Sequence, residues 1–176
     1  MDAPRPISIR EEQPGDAAAI HRVVAAAFKS RAEADLVDKL RANGRFAVSL
    51  VAVHGGAVVG HVLLTDVTVA GRGLVPRGAG LAPLAVRPTF QRRGIGSMLV
   101  RAALERALRA GYGFVCLLGD PAYYRRFGFH PAAALGLASE FDAPPEAFLA
   151  IELAPGALGG VSGTVRYLPE FSGITA

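Results

Sequence analysis

Leu81-Ala-Pro-Leu-Ala-Val-Arg-Pro-Thr-Phe-Gln-Arg-Arg-Gly-Ile-Gly-Ser-Met-Leu-Val100 is the stretch whose reading decides the fold. Its opening residues are apolar and stop at Arg87-Pro88, which reads as a strand running into a turn. Gln91-Arg92-Arg93-Gly94-Ile95-Gly96 then opens directly into a helical pattern that continues to about residue 110. Such a turn aims several backbone N–H groups, and the positive end of a helix dipole, at one spot. That arrangement is an anion site, and the arginines add formal charge to it.

The helix beyond the turn has one narrow polar stripe, Ser97, Arg101, Glu105 and Arg109, and is apolar over most of its girth. It therefore packs on a sheet. Residues 114–118 read as the next strand, and strand, helix, strand at this length implies a right-handed parallel crossover. Pro83 cannot donate to a strand ladder, so the strand at residues 81–86 is either an edge or splays from a neighbour, and the splay is preferred. An unpaired strand edge can bind an extended ligand.

Toward the N-terminus, residues 7–10 read as a short strand, followed by a helix with Asp16 as its N-cap and Ile20, Val23, Val24, Ala27 and Phe28 at helical spacing. Ser30-Arg-Ala-Glu33 matches a capping box for a second helix through Leu36, Val37 and Leu40, which Asn43-Gly44 ends. Residues 46–53 and 57–69 around His54-Gly55-Gly56 read as an antiparallel hairpin. Residues 70–80 read as a flexible connection. Toward the C-terminus, Asp120-Pro121 starts a short helix through Tyr123, Tyr124 and Arg125. Residues 131–145 read as irregular, with final strands at 147–153 and 164–168.

The expectation is a single domain over residues 1–176, large enough to bury a core. The fold class is α/β (α+β): a mixed, mostly antiparallel twisted sheet with a splayed central parallel strand pair, flanked by helices. No apolar run is long enough to span a membrane, and Met1-Asp-Ala-Pro-Arg-Pro lacks a signal-peptide core, which predicts a cytoplasmic protein. The single cysteine, Cys116, reads as buried and inert. The net charge is +4, carried by scattered arginines with no basic stripe, which argues against nucleic acid and either suits a polyanionic small molecule or reflects codon usage alone.

Two familiar phosphate loops fail. The dinucleotide fingerprint needs glycine where Leu99 stands, and a Walker A loop needs Gly-Lys-Ser/Thr where Gly96-Ser97-Met98 stands. Gln91, Gly94 and Gly96 do match a Gln/Arg-x-x-Gly-x-Gly/Ala pattern after a strand ending Val-x-Pro. The turn thereby resembles the acetyl-CoA signature of the GNAT superfamily of N-acetyltransferases. Tyr124-Arg-Arg-Phe-Gly-Phe129 is similar to that family's Tyr-x-x-x-Gly-Phe element. Ala-Pro-Leu-Ala-Val86, Tyr123-Tyr124 and Gly163-Thr-Val-Arg-Tyr167 resemble a widespread bacterial subgroup of its acetyltransferases.

The resemblance implies acetyl-CoA as acyl donor, with no metal. The backbone of Gln91, Arg92, Arg93, Gly94, Ile95, Gly96 and Ser97 would hold its pyrophosphate, and the edge of Leu84, Ala85 and Val86 its pantetheine arm. An N–H on that edge would polarise the thioester carbonyl. It implies Tyr124 as the acid that protonates the departing thiolate, with Tyr123 in a packing or pocket role.

The base has no such marker, because the strand at residues 81–86 carries no carboxylate. Glu33 lies on the helical face of Leu36, Val37 and Leu40, as a possible base or acceptor contact, although its place in Ser30-x-x-Glu33 favours capping. Asp120 reads as an N-cap, His54 as a turn residue and His130 as a loop residue. His61 and Asp66 lie on the hairpin strand with no facing assigned, and Arg125 and Arg126 are either exposed or contacts to the cofactor phosphate or the acceptor. A water is the remaining base. The implied reaction is direct acetyl transfer to a primary amine, on a small molecule or a protein, by a monomer or homodimer. The alternative is a non-catalytic acyl-CoA sensor or interaction module on the same fold.

Overall fold

The structure is a computed structural model that describes residues 3–174. Its strands form one sheet in the order β1-β2-β3-β4-β5-β8-β6, with β9 pairing both β3 and β7. These are β1 (Ile7–Glu11), β2 (Val48–His54), β3 (Ala57–Arg72), β4 (Gly78–Val86), β5 (Phe114–Leu118), β6 (His130–Pro131), β7 (Leu137–Ser139), β8 (Phe148–Glu152) and β9 (Ser162–Arg166). The helices are α1 (Ala17–Phe28), α2 (Ala32–Ala42), α3 (Ile95–Arg109) and α4 (Pro121–Tyr124). The mixed, mostly antiparallel sheet with one central parallel pair, β4 and β5, is the expected class. The chain divides into two compact units, residues 1–64 with 83–103, and residues 65–82 with 104–176.

In the first unit β1, β2 and the start of β3 form an antiparallel meander, with Ile9 opposite Ala52 and Val51 opposite His61. Gly55 and Gly56 both take positive φ, 56° and 81°, which gives the hairpin the turn twist that its strands require. Residues 48–52 of β2 are buried without alternation, as a strand covered on both faces should be. Ile20 and Val24 of α1 and Leu40 of α2 are fully buried, as are Leu50, Leu63 and Leu64 of the strands.

Asp16 stands at the N-cap of α1, as the sequence reads, but its carboxylate does not bond forward into the helix. It accepts from the Gln13 N–H at 2.7 Å and from both Arg10 Nη atoms at 2.7 and 3.1 Å. The Arg10 guanidinium accordingly holds the Asp16 carboxyl below the usual carboxylate range. At α2, Ser30 Oγ accepts from Ala32 N–H at 3.1 Å, and the N-cap position is Arg31, with no side-chain cap bond. The capping box at Ser30 and Glu33 does not form.

A polar clamp ties the helices of this unit together. His21 Nδ1 bonds Asp38 at 2.7 Å, and Arg41 bridges Asp38 at 3.0 Å and Glu12 at 2.5 Å.

In the second unit β5 pairs β8 antiparallel, and residues 68–72 of β3 pair β9. Phe114, Cys116, Phe148, Ala150 and Val165 are buried in one cluster. The parallel register of β4 with β5 runs from Gly78 opposite Phe114 to Gly80 opposite Cys116, and so ends ahead of Pro83. The splay expected from that proline lies here. The expected flexible connection at residues 70–80 shrinks to residues 73–77, since β3 and β4 extend into it from both sides. The segment 131–145 holds β7, a strand that sequence pattern did not reveal.

Candidate functional site

The β4–α3 turn is built by three local anchors. Arg87 N–H donates to Val59 O at 2.8 Å, and Phe90 N–H to Arg87 O at 2.8 Å. The Gln91 side-chain amide donates to Val86 O at 3.0 Å, so this side chain holds the turn onto the strand end. Arg92 and Gly94 then take left-handed backbone, φ 61° and 81°. Left-handed residues in a tight turn help to direct neighbouring N–H groups to one side, the geometry of an anion-binding concavity. The first bond of α3 runs from Met98 N–H to Gly94 O at 3.1 Å, so the N–H groups of Ile95, Gly96 and Ser97 precede the helical ladder.

Residues 91–94 are exposed, Ile95 is buried, and Gly96 and Ser97 are half-buried. A Cβ on Gly94 would meet nothing within 4 Å, so glycine is needed there for its φ, and the space in front of the turn is open. Arg93 places its guanidinium 5.1 Å from the Phe90 ring centre, which keeps the charge beside the turn. On β4, Leu84 and Val86 are half-exposed and alternate with buried Ala85.

Glu33, also in the first unit, stands in the first turn of α2. Its Oε2 is buried and has no hydrogen-bond partner. A buried acceptor without a donor costs on the order of 1–3 kcal/mol and calls for an explanation. His61 is fully buried, with Nε2 2.9 Å from Ser49 Oγ and Nδ1 unpartnered. Burial, aided by the Arg41 charge, pushes its pKa down to about 3, so it is a neutral core imidazole. His54 is half-buried with its ring 5.2 Å from Phe90.

The second unit carries Tyr124. The hook from β5 into α4 sets it in place: Asp120 Oδ1 accepts from Ala122 N–H at 2.9 Å, the N-cap that the sequence predicts, and Pro121 fills the first helical position. The Tyr124 ring packs edge-on against Tyr123 at 4.9 Å and Phe129 at 5.7 Å. Burial pushes its pKa well up, with a smaller push from Tyr123, so the phenol keeps its proton at neutral pH. Arg126 folds back, donating to Tyr123 O at 2.9 Å with its guanidinium 4.6 Å from the Tyr123 ring centre. Arg125 and His130 are exposed.

Two other candidates are already committed. Asp66 accepts from the Tyr112 hydroxyl, which also accepts from Arg77 at 2.9 Å. Cys116 is buried with Sγ 3.6 Å from the Tyr167 hydroxyl, and desolvation pushes its pKa up to about 12. It is inert, as expected. His21, Asp35 and Asp38 offer ligand atoms within 4.8 Å of one another. Arg41 and His21 engage Asp38, and Arg31 lies 3.9 Å from Asp35, so ion pairing accounts for that group.

Leu84–Val86, the turn and Glu33 thus fall in the first unit and Tyr124 in the second. Sequence reasoning gave no place to Gly119, where an added Cβ would lie 2.6 Å from Tyr124 Cε2. Its only signal is a glycine between a strand and an N-cap.

A family model for the acetyltransferase (GNAT) domain matches residues 8–132. The chain belongs to the GNAT acetyltransferase family. YhbS of Escherichia coli, an uncharacterised N-acetyltransferase, is 40% identical over 165 residues, which cover 93% of this chain and 98% of that protein. The crystal structure of E. coli YhbS in complex with CoA matches with a TM-score of 0.91 at 39% identity, covering 98% of this chain and 95% of the other. A GNAT family acetyltransferase from Brucella melitensis, in complex with acetyl-CoA, matches with a TM-score of 0.78 at 34% identity, over 95% of this chain and 99% of the other. Among the described residues, no helix is long and apolar enough to cross a membrane.

Proposed function

We propose that this protein transfers an acetyl group from acetyl-CoA directly to a primary amine, and that residues 1–176 work as one N-acetyltransferase domain in the cytoplasm. The observation that carries the reading is the β4–α3 turn, with its left-handed Arg92 and Gly94 and the free N–H groups at the head of α3. Amides from residues 92–97, with Arg92 and Arg93, hold the donor's pyrophosphate. Leu84, Ala85 and Val86 present backbone to its pantetheine arm, and an N–H there polarises the thioester carbonyl. Gln91 acts indirectly, by anchoring the turn to Val86.

The transfer forms one C–N bond and breaks one C–S bond. Tyr124, protonated at neutral pH as a general acid must be, gives its proton to the departing thiolate. Glu33 takes a proton from the acceptor's ammonium, directly or through water. Its unpartnered Oε2 supports this role, because an incoming ammonium satisfies it. As the C–S bond breaks, the nitrogen of the tetrahedral intermediate loses its second proton to solvent, and the phenolate left on Tyr124 takes one back from solvent, so the net products are amide, thiol and the proton held by Glu33. The acceptor is a small molecule or protein amine rather than nucleic acid, given the scattered charge.

Thiol release from acetyl-CoA on addition of an amine tests the reading. Tyr124→Phe should lower turnover about 10²-fold while leaving acetyl-CoA affinity within about twofold. Tight acetyl-CoA binding with no transfer over a broad amine panel would favour the acyl-CoA sensor instead.

A further inference from the structure

The reading of Tyr124 as the acid leads to a second residue. We propose that Gly119 is the positioning residue for that phenol: its missing side chain is the seat on which the Tyr124 ring rests. An ideal Cβ on Gly119 would lie 2.6 Å from Tyr124 Cε2 and 3.1 Å from Cδ2, and 3.1 Å from Leu117 Cδ1. A methyl group cannot occupy that space unless something moves.

The backbone under the ring is held on both sides. Gly119 N–H donates to Ala147 O at 2.9 Å, extending the β5–β8 pairing one step past Leu118 opposite Phe148. The next residue is fixed by the Asp120 cap on Ala122. The ring therefore has to yield, and it is a rigid plate that carries the hydroxyl at its far end. Phe129, 2% exposed, and Tyr123 bound it on other sides, so a push from Gly119 changes where the hydroxyl points. Gly119 is not among the positive-φ residues, so glycine is required here by space and not by conformation. Alanine is consequently a clean probe: it adds one methyl and imposes no backbone strain.

The experiment is a double-mutant cycle in the full-length protein, with steady-state thiol release and acetyl-CoA affinity by calorimetry as readouts. Gly119→Ala should lower kcat by roughly 10²-fold, the cost of misplacing a reacting group by about 1 Å, with KM for acetyl-CoA and binding affinity within about twofold. In a Tyr124→Phe background the same change should lower kcat by less than about twofold, because the hydroxyl it misplaces is already gone. With fluorotyrosine incorporated, the Tyr124 resonance should move in Gly119→Ala. If Gly119→Ala does not fold, Phe129→Leu loosens the ring from another side and must show the same coupling to Tyr124→Phe. Wild-type kcat in Gly119→Ala, or equal losses in both backgrounds, would overturn the positioning role. Wild-type turnover in Tyr124→Phe would instead remove the acid reading itself, and Gly119's role with it.

Discussion

Glu33 illustrates how a local pattern and a structure can part. The spacing Ser30-x-x-Glu33 matches a capping box, but α2 begins at Ala32 with Arg31 at the N-cap, so Glu33 stands one position too early to reach back. Sequence carries the pattern without the phase of the helix, and a shift of one residue turns a cap into an unpartnered carboxylate. Glu33→Gln should therefore leave the melting temperature unchanged or raised, where loss of a true cap costs about 1 kcal/mol. The same variant should lower kcat/KM by about tenfold or more. A thermal melt and steady-state kinetics check both.

His61 gives a second prediction at this scale. Its folded pKa, about 3, lies below the unfolded value of 6.5, so the unfolded chain binds the extra proton between those values. This group's contribution to stability is present above pH 6.5 and is lost progressively as the pH falls toward 3. The slope approaches about 1.4 kcal/mol per pH unit within that window. His61→Gln should flatten the dependence between pH 6.5 and 5 in urea titrations, whatever it does to absolute stability. The buried position of His61 was not legible, because neighbours on β3 are buried on both faces and alternation gives no facing there.

At the scale of elements, the β4–α3 turn and the strand-helix-strand around it were legible because each carries its own chemistry: an apolar run, a proline, a pair of glycines and a polar stripe. The ends of β3 and the start of β4 were not. Their glycines read as loop, yet they allow strands to pack closely: a Cβ on Gly71 would lie 1.9 Å from Ser162 O across the β3–β9 pair. β7, with three residues, is too short to show a period.

The turn's charge yields a testable consequence. Replacing Arg92 and Arg93 with alanine should weaken CoA binding about tenfold at low salt and much less near 1 M, where screening removes the same contribution. Calorimetry at the two salt concentrations measures it. The clamp on α2 is a separate element with its own test. Glu12 has a side chain only 9% exposed, so Arg41→Ala leaves a nearly buried carboxylate without its cation. That should cost about 3 kcal/mol in urea unfolding, and pairing it with Glu12→Leu should recover part of the loss.

For the molecule as a whole, the family match spans residues from both compact units, and β3 and β4 run through both. The donor half of the proposed site was legible because phosphate recognition relies on backbone geometry that glycines advertise. The acceptor half was not, since a carboxylate without a partner is a three-dimensional fact. The central claim is direct transfer from acetyl-CoA to an amine, with Cys116 uninvolved. Its most direct measurement follows acetyl-CoA and an amine panel by mass spectrometry and thiol release, in the wild type and in Cys116→Ala. We predict one free thiol per acetamide formed, only when an amine is present, at the same rate in both proteins. Acetyl carried on the protein as an intermediate, or no acetamide from any amine while acetyl-CoA binds tightly, would contradict it.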